Sequence, residues 1–269
     1  MDGTRCLDGI RMQDRPVLDT ANVAVELALS MERKEPASLG ALCETEAGLL
    51  WAGRGYQTWY WRSWMGIPGE AVPGAAQLAE AIPRLSFVGV AHSGPFARHP
   101  QMAPKTWSAL RLWGIELHPE AQIVDRLVVF YLMFDLWLWG LLENRRVLIV
   151  NNHAAEVARA METGDIPADL KPYAPECHGW KPAATMAVVL ENGMAGSEKA
   201  LGDIAKADWH PDIAFIGGGA RGTYLTVEIA EREKVPALDM GSVLDRFVSP
   251  WDMTGVQWAK VHGWYLEQG

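Results

Sequence analysis

Three features of this 269-residue chain predict an α/β fold: one Rossmann-like domain over residues 1–269, with a mostly parallel sheet flanked by helices. Short apolar runs recur with helical segments of about ten residues between them, the alternation that builds βαβ units and a parallel sheet. Hydrophobic residues make up 49% of the chain, enough to bury a large core. Near the C-terminus lies a strand–turn–helix–strand run: Ile213–Ile216, the turn Gly217-Gly218-Gly219-Ala220-Arg221-Gly222, a helix, and a strand closing on Asp239-Met240-Gly241.

The elements follow in chain order. Asn22–Met31 has helical apolar spacing, and Ala37–Leu42 is an apolar run that predicts the first strand. Thr45 to Trp64 predicts an aromatic helix, Gly74–Ile82 a second helix, and Ser86–Ala91 a strand. Leu127–Leu142 reads LVVFYLMFDLWLWGLL and is apolar except for Asp135. Such a helix extends about 24 Å, short of a roughly 30 Å hydrocarbon core, and a mid-span Asp costs a few kcal/mol there, so a buried central helix is predicted instead of a membrane span. Asp135 then needs a partner, as a structural carboxylate or as a site residue. Arg146–Val150 predicts a strand, Ala154–Met161 a helix, Met186–Leu190 a strand and Ser197–Lys206 a helix. Pro and Gly cluster at Gly66–Gly74 and Pro167–Pro182, which predict loops.

Charge and cysteine usage exclude several classes. A net charge of -9 repels nucleic acid and anionic lipid, so nucleic acid is not expected as a partner. Cys6, Cys43 and Cys177 are odd in number and form no CxxC pair, which argues against a disulfide framework and a thiolate zinc site and fits the cytoplasm. Met1–Asp19 has no apolar h-region, so no secretory signal is expected.

In parallel sheets, ligands bind beyond the C-terminal ends of the strands. Glu44 and Glu46, His92 and Ser93, Asn151, Asn152 and His153, the Gly217–Gly222 turn and Asp239 occupy such positions. Polar residues there also arise simply because the chain is leaving the core. Two carboxylates in Glu44-Thr45-Glu46 can give oxygen ligands to a hard divalent cation, although acidic residues also favour a helix's first turn. The glycine turn lets backbone approach a phosphate and aims a helix N-terminus at it. Gly217, Gly219 and Gly222 fit G-x-G-x-x-G with Asp239 on the next strand, so an NAD(P)-dependent oxidoreductase is one reading. Against it, a dinucleotide domain opens with that motif, and here only about thirty residues follow Asp239. A tight turn without a ligand is the third reading. The chain's 13 tryptophans include Trp59, Trp61 and Trp64, which with Tyr56 and Tyr60 offer either sugar-stacking faces or ordinary core filling. Trp251, Trp258 and Trp264 are expected to dock the tail.

The run DIAFIGGGARGTYLTVEIAEREKVPALDMGSVLDRF, Asp212–Phe247, resembles the C-terminal segment of GT-D-type glycosyltransferases, in which a strand, a small-residue turn, a helix and a closing strand recur in that order. Helix Val17–Ser30 followed by MERKEPASLGALCETEAGLLWAG resembles the family's N-terminal helix, strand and acidic motif, and RRVLIVNNHAAEVARAM resembles its central strand and helix. The resemblance implies a GT-D fold and a metal-dependent transfer of a sugar from a nucleotide sugar, a UDP-sugar foremost, to a glycan or glycoconjugate acceptor. The family's Asp-x-Glu motif falls on Glu44-Thr45-Glu46, which implies that Glu44 and Glu46 hold Mn²⁺ or Mg²⁺. Where the family carries an Arg and two glycines around that motif, this chain has Ala41, Cys43 and Thr45. The remaining roles follow from the chemistry of the reaction. Gly217, Gly218, Gly219, Arg221 and Gly222 are candidates to bind the diphosphate, and Asn151, Asn152 and His153 to contact the sugar. Glu46 and Asp239 are the candidate catalytic carboxylates for deprotonating an acceptor hydroxyl. A binding module that keeps the nucleotide-sugar site without chemistry is a further reading.

Overall fold

The computed structural model describes residues 17–56, 71–90, 102–167, 170–171 and 180–248. Among them, eight strands form one sheet: β1 (Val17–Leu18), β2 (Ala37–Ala41), β3 (Phe87–Val90), β4 (Gln122–Asp125), β5 (Arg146–Asn151), β6 (Ala184–Val189), β7 (Ile213–Gly217) and β8 (Pro236–Asp239). Their spatial order is β1-β4-β3-β2-β8-β7-β5-β6, and every pairing is parallel. From β2 the chain steps outward through β3 to β4, whereas β8, the last strand, returns to pair with β2. The ends of β2 and β8 therefore lie side by side although almost two hundred positions separate them in the sequence.

Nine helices cover the sheet among the described residues: α1 (Thr20–Arg33), α2 (Glu44–Gly53), α3 (Ala71–Ala81), α4 (Met102–Trp113), α5 (Val128–Phe134), α6 (Trp137–Leu142), α7 (Ala154–Thr163), α8 (Gly193–Lys206) and α9 (Gly222–Glu233). Side chains alternate across a strand, so Val147 and Ile149 of β5 enter one core layer while Leu148 and Val150 enter the other. Val147, Ile149, Phe215 and Leu238 pack with α1, α5, α6 and α7. Leu148, Val150, Ile216 and Ala237 pack with α2, α3, α4, α8 and α9. Burial on both faces explains why these strands read as continuous apolar runs in the sequence.

The sequence-based elements stand close to the observed ones, with four differences. The Leu127–Leu142 stretch is two helices, α5 and α6, broken at Asp135–Leu136, where Leu136 takes φ 66. Asp135 is exposed at that break, which corrects the expectation of a buried carboxylate: the chain kinks so that the charge stays in water while both apolar faces remain in the core. α2 stops at Gly53, because Arg54, Gly55 and Tyr56 turn their N–H groups back onto Trp51 and Ala52 and Gly55 adopts φ 82. Strands β1 and β4, with two and four residues, are too short to show a period and exist through pairing with one another and with β3. Helix α4 is the fourth difference, an element that the sequence reading left unassigned.

Tyr56 packs edge-on against Trp51 with ring centroids 4.8 Å apart. His92, Ser93, Trp59, Tyr60, Trp61, Trp64, Trp251, Trp258 and Trp264 lie outside the described residues, as do Cys6 and Cys177. No helix among the described residues is long and apolar enough to cross a membrane.

Candidate active site

The sheet brings together residues that the sequence keeps far apart. β2, β8, β7 and β5 are consecutive neighbours, so their C-terminal ends place Glu46, Asp239, the glycine turn and Asn151 along one edge.

Glu46 sits in the first turn of α2 and is only 3% exposed. Its side chain reaches back to the residue before the helix: Oε2 accepts from Cys43 N at 2.9 Å and from Cys43 Sγ at 2.7 Å, and Oε1 accepts from Thr45 Oγ1 at 3.0 Å. This is a capping box with Cys43 in the N-cap place, a pairing that closes orphan N–H groups at a helix start. Burial pushes the Glu46 pKa up, and the bonds from Cys43 and Thr45 oppose that shift. Glu44 opens the same turn of α2.

Asp239 ends β8 and is 6% exposed. Its Oδ2 accepts from Thr223 Oγ1 at 3.2 Å, and its Oδ1 accepts from the Gly241 amide at 3.1 Å. Burial first, and the charge of Glu46 second, raise its pKa to about 8. The carboxylate lies against the start of α9, where a Cβ on Gly222 would come within 2.6 Å of Oδ1. Gly222, the last glycine of the turn, is thus required by the close approach of Asp239. Thr223 and the Gly241 amide hold this carboxylate in one orientation at the start of α9.

Two of the other predicted contacts, Arg221 and Asn151, bond to the protein itself. Arg221 is buried, and its Nη1 donates to the carbonyls of Glu191 at 2.7 Å and Gly193 at 2.6 Å, tying the loop after β6 to the glycine turn. Asn151, 3% exposed, donates from Nδ2 to Gly217 O at 3.1 Å and to Asp245 Oδ1 at 3.2 Å. Asn152 and His153 are exposed beside it, and Gly219 takes φ 55 at the outer point of the turn, next to Gly218. Three participants escaped the sequence reading: Cys43, Thr223 and Asp245. Cys43 carried a signal, since a small polar residue three positions before Glu46 is a capping-box spacing. Thr223 and Asp245 carried none, because their partners are set by the sheet order.

Residues 18–247 match the model of the GT-D fold-like domain. The chain belongs to the GT-D fold-like family. Solved structures agree with that assignment of fold. A selenomethionine-substituted domain of unknown function 1792 superposes with a TM-score of 0.57 at 12% identity, covering 91% of this chain and 82% of the other. A structure of the same domain, described as having a distinct glycosyltransferase fold, gives a TM-score of 0.56 at 14% identity with the same coverages of 91% and 82%. A glycosyltransferase of this domain class from Streptococcus sanguinis gives 0.51 at 15% identity, covering 87% and 84%. No curated protein matches the sequence. All the site residues named above lie inside the span matched to the GT-D fold-like domain.

A divalent cation fits the donor set of this GT-D site in one respect and is limited in another. Glu46, in the same helical turn as Glu44, is a desolvated carboxylate whose charge pushes up the pKa of its neighbour Asp239, and a divalent cation held at Glu46 would offset that charge. Among the described residues, no group of three or more His, Cys, Asp or Glu side chains is arranged to hold a metal ion. Two protein carboxylates are nevertheless sufficient for Mg²⁺-like binding, in which phosphate oxygens and water fill the rest of the shell.

Proposed function

We propose that this GT-D protein is a glycosyltransferase that takes its sugar from a nucleoside diphosphate donor. The observation that carries the reading is the buried pair Glu46 and Asp239, set at neighbouring strand ends beside the Gly217–Gly222 turn in a chain of the GT-D fold-like family. Glu44 and Glu46 would hold Mn²⁺ or Mg²⁺, and the cation would offset charge developing on the leaving diphosphate. The start of α9 and its glycine turn offer backbone N–H groups to the phosphates, with Asn152 and His153 at the rim.

Asp239 is the group assigned to the acceptor. As the acceptor oxygen attacks the anomeric carbon, its proton passes to an Asp239 oxygen, the bond from the anomeric carbon to the phosphate oxygen breaks, and its electron pair leaves with the nucleoside diphosphate. A pKa near 8 suits a base that works close to neutral pH. Thr223 and the Gly241 amide fix the direction in which the carboxylate points. The cap from Glu46 to Cys43 fixes α2.

A panel of UDP- and GDP-sugars with Mn²⁺ is expected to give a thermal shift and donor hydrolysis with at least one member, UDP-sugars first. Silence across the whole panel would sink the proposal, and a shift with NAD or NADP would replace it. Donor binding without turnover over a broad acceptor screen would support the binding module instead. Glu44→Ala is expected to weaken Mn²⁺-dependent donor binding about tenfold or more with little loss of stability. Glu46→Ala should add a stability loss of about 1 kcal/mol from the broken cap. Isothermal titration beside thermal melting separates the two effects, and full donor affinity in both variants would refute the metal site.

A further inference from the structure

Asn151 stands among the sugar contacts in the sequence reading, yet its carboxamide faces the protein. A primary amide offers two N–H donors and one carbonyl oxygen. In Asn151, Nδ2 donates to Gly217 O at 3.1 Å and to Asp245 Oδ1 at 3.2 Å, and Oδ1 accepts from His153 N at 2.7 Å. With 3% exposure, little of the side chain is left for a ligand. One side chain thereby ties the end of β5 to the turn after β7 and to the 3-10 segment Gly241–Phe247 that follows Asp239. Gly217 shows how close the fit is, because a Cβ there would come within 2.5 Å of Nδ2 and 3.1 Å of Gly241 O.

We propose that Asn151 is a positioning residue: it holds the Gly217 carbonyl and the Asp245 carboxylate so that the glycine turn and the segment after Asp239 keep one relative placement. It touches no sugar. The functional half of this inference rests on the nucleotide-sugar reading, whereas the clasp is a property of the folded chain alone. Groups preorganised by such bonds bind a ligand without first being ordered, so loosening the clasp should weaken donor binding more than it slows the chemical step.

Asn151→Asp tests both halves. The aspartate keeps an acceptor for His153 N but turns an oxygen toward two other acceptors, Gly217 O and Asp245 Oδ1. Amide hydrogen exchange, measured without nucleotide, should rise about tenfold or more across residues 217–222 and 241–248, with other segments unchanged. The Kd for UDP with Mn²⁺ should rise about tenfold, and for any active donor KM should rise more than kcat falls. Adding Asp245→Asn to Asn151→Asp reverses donor and acceptor and should recover part of the protection at 241–248 but not at 217–222. Gly217→Ala, which presses on Nδ2 without changing charge, should reproduce the loosening if the aspartate variant fails to fold.

Unchanged exchange in Asn151→Asp and Gly217→Ala would overturn the clasp. Raised exchange with an unaltered Kd for UDP would overturn the positioning role. A wild-type protein that binds neither UDP nor GDP would sink the nucleotide-sugar reading, while the exchange measurement would still decide the clasp.

Discussion

Asp239→Asn is expected to lower sugar transfer by about a hundredfold or more while leaving the fold in place, because general-base assistance contributes on that order. Asparagine has nearly the same shape and keeps one oxygen for Thr223 Oγ1 or the Gly241 amide, so a loss of activity in a variant that melts cooperatively reports on proton transfer. The same substitution carries a signature in stability. Folding raises the Asp239 pKa from 3.8 to about 8, so between those values the folded state keeps a proton that the unfolded state has released. The stabilisation is complete below 3.8 and is lost as pH climbs to about 8. Without a divalent cation, the wild-type Tm is therefore expected to fall from about pH 5 to about pH 8, and Asp239→Asn should flatten that decline. Mn²⁺ favours the ionised carboxylate and should stabilise the wild type more at the upper end of the range. Parallel pH profiles for wild type and variant would refute the assigned titration, and retained transfer would refute Asp239 as the base.

Gly222→Ala is expected to be strongly destabilising for a single added methyl group. Its Cβ would lie 2.6 Å from Oδ1 and 2.7 Å from Oδ2 of a carboxylate held on two sides, leaving no direction of easy retreat. A cost of about 3 kcal/mol follows, or roughly 6–12 °C in Tm for a chain of this size. Joining it to Asp239→Ala should recover much of that loss, because the clash partner is gone and the two effects are then non-additive. Calorimetry on the two single variants and the double decides it; a Gly222→Ala protein as stable as wild type would show that α9 does not seat Asp239 as described.

The fold class was legible because both faces of the sheet are covered. Strands such as Arg146–Asn151 and Ile213–Gly217 then need apolar residues at consecutive interior positions, Val147–Val150 and Ile213–Ile216, and such runs stand out between helices. The short edge strands Val17–Leu18 and Gln122–Asp125 were not legible, since pairing with neighbours defines them and not their own composition. The kink at Leu136 was hidden for a related reason: periodicity describes an apolar stretch but not where a lone charge makes the chain turn toward water.

The candidate site divides along the same line. By itself the sequence determined that Glu46, Asp239, Asn151 and the glycine turn would sit where strands end, because local patterning fixes the ends of elements. Only the tertiary structure decided that β8 pairs with β2, so that two carboxylates remote in the chain share one desolvated place and raise Asp239. It also turned Arg221 and Asn151 toward backbone and neighbouring loops, and gave Gly222 its reason in the approach of Asp239. Strand ends follow from local sequence, whereas strand order and side-chain partners come from long-range packing, which no local pattern encodes.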